Sequence, residues 1–237
     1  MQYTVNDFLG GMVRLKQPVD GLRAGTDAVL LSAAVTPEPH QAVLDVGCGS
    51  GVVALCVGAR TKNLELVGVE IQPELALLAQ ENARLNEQNL TIVNQDIQQL
   101  KMERFFEWVV TNPPFYTEDP KRQNEQQERA FKKTVSLKVW IDFCLKRLKP
   151  KGRFAIIYRT DGVPEILSLL NKKLGGITLI PIYPKQGQTP KRVIITGQLG
   201  SKTPFSIHRG IILHYQDNRR TKQAESVMRQ GKTLFSE

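Results

Sequence analysis

Ala42-Val43-Leu44-Asp45-Val46-Gly47-Cys48-Gly49-Ser50-Gly51-Val52-Val53-Ala54-Leu55 is the stretch on which the fold turns. Its first five residues form a short apolar, β-branched run interrupted only by Asp45, the pattern of a strand buried on both faces. Three glycines at alternate positions follow, and then an apolar pattern of helical length over Val52–Arg60. A strand that ends in a glycine-rich turn and opens a helix lets a ligand approach the helix N-terminus closely. The spacing is G-x-G-x-G. It departs from the G-x-G-x-x-G of dinucleotide enzymes, which weakens a nicotinamide reading, and a purely structural strand-to-helix turn remains the alternative.

Outward from this turn, short β-rich runs alternate with helical stretches. Strands are expected at Leu64–Glu70, Leu90–Asn94, Phe105–Thr111 and Arg153–Tyr158. Helices are expected at Pro73–Asn86, with proline in its first turn, at Ser136–Lys149 and at Val163–Leu174. In Ser136–Lys149, Leu137, Trp140, Ile141, Cys144 and Leu148 share one face, and Pro150-Lys151-Gly152 is the expected stop. Two late strands, Ile177–Tyr183 and Arg192–Leu199, are joined by a polar loop with no helix, so they should pair antiparallel. The pattern predicts an α/β, Rossmann-like, mostly parallel seven-stranded sheet with an antiparallel edge strand. Residues 1–41 are read as an N-terminal extension packing on the ligand site and 42–204 as the main domain. Residues 205–237, with a C-terminal strand in the apolar run Phe205–Tyr215 and a basic helical tail, complete it as a short C-terminal extension.

Composition narrows the function. The chain has 237 residues, 41% hydrophobic and 23% charged, which is ordinary globular usage. No apolar run approaches the roughly 20 residues of a membrane span, and the N-terminus lacks a signal-peptide pattern. Cys48, Cys56 and Cys144 cannot all pair and lack metal spacing, so a reduced, cytoplasmic, metal-free protein is expected. The net charge of +9 is unevenly spread. Residues 1–110 carry 8 Lys/Arg against 13 Asp/Glu, a net of −5, while 111–237 carry 24 against 10, a net of +14. A nucleic-acid enzyme with a separate cofactor half would show this division, as would a merely solvated basic surface.

Three further features carry chemistry. Glu70 closes the second strand of the main domain, where a carboxylate can accept both hydroxyls of a ribose. Asp96, with Ile97 after it, holds the corresponding place beyond the third strand; it could accept an adenine amino group or cap the following turn. Asn112-Pro113-Pro114-Phe115 follows the fourth strand directly. Average usage makes a chance occurrence of such a quartet on the order of a few in a thousand. The prolines fix successive φ angles and hold a carbonyl toward the cleft beside the Asn112 amide oxygen. Two fixed acceptors suit an NH₂ on a planar system, and Phe115 offers a stacking face.

Asp45-Val46-Gly47-Cys48-Gly49-Ser50-Gly51, Glu70, Asp96 and Asn112–Phe115 together resemble the class I methyltransferases that use S-adenosylmethionine, specifically the amino-group methylators with an N-P-P-[Tyr/Phe] motif. Upstream, the segment Gln17–Leu31, with Gly25-Thr26-Asp27 before an apolar run, looks like the corresponding segment of bacterial tRNA1(Val) adenine-N6 methyltransferases. The resemblance implies that Asp45, Gly47, Gly49, Gly51, Glu70, Asp96, Ile97 and Asn112 hold the methyl donor. Thr26 and Asp27 would lie at its methionine end, or else cap a helix start. Asn112, Pro113, Pro114 and Phe115 would act at the target amine. The implied reaction is in-line methyl transfer to the exocyclic N6 of an adenine, with alignment and hydrogen bonding as the main catalytic effects. The implied substrate is the adenine 3′ of the anticodon in a valine tRNA, met by a monomer. Lys121, Arg122, Arg129, Lys132, Lys133, Lys185, Lys191 and Arg192 are the candidate phosphate contacts. Glutamine-amide methylation of release factors and adenine methylation of rRNA or DNA remain alternatives, as does an inactive RNA-binding relative.

Overall fold

The computed structural model describes residues 2–19, 25–114 and 135–235. An antiparallel hairpin of β1 (Tyr3–Phe8) and β2 (Val13–Pro18) leads to α1 (Thr26–Ala33). The alternating unit follows: β3 (Ala42–Val46), α2 (Val52–Arg60), β4 (Glu65–Glu70), α3 (Pro73–Leu85), β5 (Leu90–Asn94) and β6 (Phe106–Thr111). After residue 134 come α4 (Leu137–Leu145), β7 (Leu148–Arg159), α5 (Val163–Leu170), β8 (Leu174–Lys185) and β9 (Arg192–Leu199). Two short strands, β10 (Ser206–Ile207) and β11 (Ile211–His214), and the helix α6 (Lys222–Arg229) complete the fold.

The main sheet runs β5-β4-β3-β6-β7-β9-β8, with β10 and β11 both parallel to β8 beyond it. The strands from β5 to β7 are parallel, whereas β9 is antiparallel to both β7 and β8. The antiparallel strand expected of the helix-free β8–β9 connection is therefore seated one position in from β8. Successive residues face opposite sides of the sheet. Val43, Val110 and Ile157 join Leu30 and Leu55 on one face, while Leu44, Val109 and Ile156 join Ile141 and Ile166 on the other. All five residues of β3 are buried, Asp45 included.

Two expected helices are shorter in the structure. Of Val163–Leu174, α5 keeps Val163–Leu170 and Leu174 opens β8; of Ser136–Lys149, α4 ends at Leu145 and the chain enters β7 at Leu148. The Phe106 amide donates to the Arg147 carbonyl and Leu148 pairs with Phe106, so sheet pairing overrides the last helical turn. The Pro150-Lys151-Gly152 sequence lies within β7, where Lys151 takes a φ of 62° and the register to β6 shifts.

The N-terminal hairpin is held by two asparagines one turn apart on α3. Asn82 accepts from the Lys16 amide and donates to its carbonyl, at 2.7 and 3.1 Å. Asn86 does the same with Arg14, both at 2.7 Å. Each side-chain amide thus imitates a strand partner, and Asn82 also donates to the Ser50 carbonyl of the glycine loop. At the other terminus, Thr221 caps α6. The partly buried Arg60 guanidinium holds the carbonyls of Val227 and Gly231, and the Leu234 amide donates to Ala33. Both termini therefore pack on the main domain.

Candidate active site

The sheet order reverses at β3: β4 and β5 lie on one side, then β6 returns to the other. Such a switch point is where open α/β sheets hold a ligand, in the crevice outside the carboxyl ends of the strands. The glycine loop leaves β3 and Asn112-Pro113-Pro114 leaves β6. Val46 and Thr111, the last residues of the two strands, are registered partners.

The loop is shaped by hydrogen bonds from below and from the side. The Gly47 and Cys48 amides both donate to the Val69 carbonyl, at 2.8 and 3.0 Å. Glu70 accepts from the Gly49 amide at 2.9 Å through one carboxylate oxygen and from the Gln72 amide at 2.8 Å through the other. Gly47 and Gly49 have φ of 72° and 55°, the left-handed region that favours glycine. Around Gly49 a side chain would meet nothing within 4 Å among the described residues, which leaves space over the loop at that point. At Gly51, whose φ of 85° likewise favours glycine, a side chain would meet Leu90 and Ala79.

Two carboxylates sit beneath this opening. Asp45 is 1% exposed, and its Oδ2 accepts from the Ala54 amide at 3.2 Å. Its Oδ1 is buried with no partner, an unmet acceptor at the end of β3. Burial pushes the Asp45 carboxyl up to about 7, and the neighbouring Glu70 charge adds to the effect. Glu70 is raised for the same first reason, moderated by the Gln72, Gly49 and Ile71 amides. Cys48, buried between the two acids, is also raised by desolvation. Such a site demands a ligand that brings N–H and O–H donors, and positive charge next to Asp45 would restore its ionised form.

Beside the loop, Thr111 is fully buried. Its hydroxyl donates to the Val46 carbonyl and accepts from the Trp140 indole N–H, both at 2.8 Å. Asn112 follows half-buried, Pro113 buried and Pro114 exposed. Asp45, Gly47, Gly49, Glu70, Asn112, Pro113 and Pro114 thus share one edge of the sheet. Phe115, Lys121, Arg122, Arg129, Lys132 and Lys133 lie outside the described residues.

The remaining expected residues fall into other surroundings. Asp96 accepts from the Gln98 amide at 2.9 Å, and its carbonyl from the Gln99 and Leu100 amides, which is the capping role. Ile97 is buried in the apolar layer with Val67 and Val69. Neither side chain expected to cap α1 does so: Gly25 is the N-cap, without a side-chain bond, and Thr26 is the exposed first residue. Asp27 and Arg192, expected on a donor and on RNA respectively, are paired with each other at 2.9 Å. Because Arg192 opens β9 opposite Arg159 at the end of β7, this pair sits at the same carboxyl edge as the cleft. Sequence reasoning missed Thr111, Asn82 and the polar role of Trp140. Trp140 read as one more apolar position on its helix face, and nothing in one sequence marks its N–H as aimed at Thr111.

A mostly parallel sheet in this order, with an acid-flanked glycine loop after its first strand and Asn-Pro-Pro after its fourth, defines a class I methyltransferase. The chain belongs to the methyltransferase small domain family, whose pattern matches residues 20–181. A tRNA1(Val) (adenine(37)-N6)-methyltransferase from Glaesserella parasuis is 29% identical to it over 180 residues, covering 74% of this chain and 76% of the relative. Among solved structures, a "predicted O-methyltransferase" from Agrobacterium tumefaciens superposes with a TM-score of 0.73 at 20% identity, covering 90% of this chain and 99% of that one. The N-methyltransferase NodS from Bradyrhizobium japonicum, in complex with S-adenosyl-L-homocysteine, gives 0.53 at 16% identity, covering 74% and 86%. At these identities the two solved structures bear on the fold alone. Among the described residues no helix is long and apolar enough to cross a membrane.

Proposed function

We propose that the chain transfers the methyl group of S-adenosylmethionine to N6 of an adenine in tRNA, the adenine 3′ of the anticodon in a valine tRNA. The observation that carries the reading is the juxtaposition, across the registered pair Val46 and Thr111, of an acid-lined glycine loop and an Asn-Pro-Pro segment. The relative from Glaesserella parasuis bears the name of this activity.

The residues fit the donor. The unmet Asp45 Oδ1 and the Glu70 carboxylate are acceptors, as an ammonium and a pair of ribose hydroxyls require, and the space over Gly49 admits a ligand against the backbone. S-adenosylmethionine, when bound, supplies a methyl group on a positively charged sulfur. The Asn112 amide oxygen and the Pro113 carbonyl are acceptors for the two hydrogens of the target amine, which leaves its lone pair directed away from both. Phe115 provides the stacking face for the base, and a loop adenine reaches the pocket at a smaller unstacking cost than one in a helix. Pre-set acceptors of this kind act by alignment rather than by proton abstraction.

Phosphates would meet the basic end of the β8–β9 hairpin. The Gln186 amide donates to the His214 carbonyl and the Gln216 side chain to the Gln186 carbonyl, which fastens the turn after β11 to this hairpin. Lys185, Lys191, Arg219 and Arg220 are thereby gathered in one region, with Asp217 and Glu225 offsetting part of the charge of the two arginines. A tRNA substrate fits a cytoplasmic enzyme. The test is incubation with methyl-labelled S-adenosylmethionine and separate pools of tRNA, rRNA, DNA and release factor. Label in tRNA adenine supports the reading, and label confined to protein glutamine replaces it.

A further inference from the structure

We propose that Trp140 is a positioning residue that locks the donor loop to the target-amine segment; this rests on the methyl-transfer reading above. An indole N–H only donates, so the 2.8 Å bond from Trp140 Nε1 uses a lone pair of the Thr111 hydroxyl. The hydroxyl's single proton is then free for the Val46 carbonyl, also at 2.8 Å. The chain Trp140–Thr111–Val46 therefore has a fixed direction and crosses from α4 through β6 to β3. Thr111 and Val46 are 0% exposed and the indole is partly buried, so losing either bond leaves a buried acceptor unpaired.

The position of the two strand residues gives the chain its consequence. Val46 immediately precedes Gly47 of the glycine loop, and Thr111 immediately precedes Asn112. The Trp140 ring also lies against the loop itself. A Cβ on Gly47 would stand 2.8 Å from Trp140 Cζ2 and 3.0 Å from Cη2, closer than atoms pack. One side chain thus bears on the donor loop through its ring edge and on the Asn112 segment through its N–H. A shift of either loop must displace the indole, so the relative placement of methyl donor and target amine is held through Trp140. Misplacement of about an ångström at reacting atoms is enough to cost large factors in rate.

The test uses the full chain and three single variants: Trp140→Phe, which keeps a ring against Gly47 and removes the N–H, Thr111→Val, which removes the hydroxyl, and Thr111→Ser, which retains it. Expected are a roughly tenfold or larger fall in kcat for Trp140→Phe and Thr111→Val, with donor affinity within about threefold of wild type. Thr111→Ser should recover most of the loss. Because both deletions break one chain, the Trp140→Phe/Thr111→Val double variant should be no slower than Thr111→Val. Melting temperatures set the assay below unfolding for every variant. A second readout needs no methyl acceptor: titration with S-adenosylhomocysteine should change the fluorescence component that Trp140→Phe deletes, and Thr111→Val should suppress that change. Rates within about twofold of wild type in both deletions, or losses that multiply in the double variant, overturn the proposal. So does an indole signal indifferent to the donor analogue. Wild-type enzyme that methylates a protein or another nucleic acid overturns only the tRNA reading, and the same comparisons are then made on that substrate.

Discussion

Replacing Asp45 with Asn should make the protein's stability less sensitive to pH. The buried carboxyl has a folded-state pKa of about 7 against an ordinary value of 3.8. Because the folded value is raised, the contribution is fully present below about pH 4, where both states hold the proton. Between about pH 4 and 7 the unfolded chain releases the proton while the folded one keeps it, so stability falls by up to about 1.4 kcal/mol per pH unit. Across the whole window the loss is on the order of 4 kcal/mol and is complete above pH 7. Asn keeps the acceptor for the Ala54 amide but cannot ionise, so the variant escapes this loss. Other carboxylates run the opposite way: the Lys138 and Lys173 partners hold Asp142 down at about 2, and Arg159 holds Asp161 below its ordinary value. The informative quantity is therefore the difference between variant and wild type, measured by urea unfolding at half-unit steps from about pH 4 to 8. It should grow in favour of Asp45→Asn as pH rises and then level off near 7. A difference that stays flat, or grows as pH falls, would refute the argument that Asp45 is buried without a charge partner.

The other expectations follow from single contacts. Glu70→Ala removes acceptors for the Gly49 and Gln72 amides as well as for ribose, so calorimetry should show donor affinity lowered by roughly 1.5–3 kcal/mol per lost charge-assisted bond; unchanged affinity would remove Glu70 from the site. Asn112→Ala should abolish turnover while donor affinity stays within about a few-fold, and near-normal turnover would reject the amine-clamp mechanism. Charge reversal of Lys185 and Lys191 should weaken tRNA binding and flatten its salt dependence without altering donor affinity, whereas a salt-independent affinity in the wild type would contradict a phosphate surface there. Asp27→Asn removes the ion pair with Arg192 at the cleft edge; because the pair is only half-buried, thermal unfolding should register about 1 kcal/mol or less. A much larger loss would mean the pair carries more of the fold than its exposure allows.

Much of this was legible in the sequence because it is local. The β3 run, the glycine turn, α2, β5 and β9 announce themselves through apolar period and turn residues, and the structure keeps those bounds. Tertiary pairing escaped the sequence. The helical face through Leu148 was a sound local reading, but Phe106 pairs with Leu148 and draws it into the sheet. The strand expected in the apolar run after residue 205 forms as two short pieces, β10 and β11, both paired with β8. At the site, residue types named the acceptors, Asp45, Glu70 and Asn112. They could not reveal that Asp27 would spend its charge on Arg192, 165 positions away, whereas the turn cap at Asp96 is one of the two roles its position offered. Asn82 and Asn86 likewise read as ordinary helix polar residues until β2 is seen lying against them.

The central claim is that the cleft between the glycine loop and Asn112 methylates an adenine amine in tRNA. The most direct measurement is nucleoside mass spectrometry of unmodified tRNA after reaction with the purified protein and S-adenosylmethionine, with oligonucleotide mapping of the product. The account predicts N6-methyladenosine at the position 3′ of the anticodon in the valine species, and none with Asn112→Ala. Unmodified tRNA, together with methylglutamine in release factor or methyladenine confined to rRNA or DNA, would contradict it.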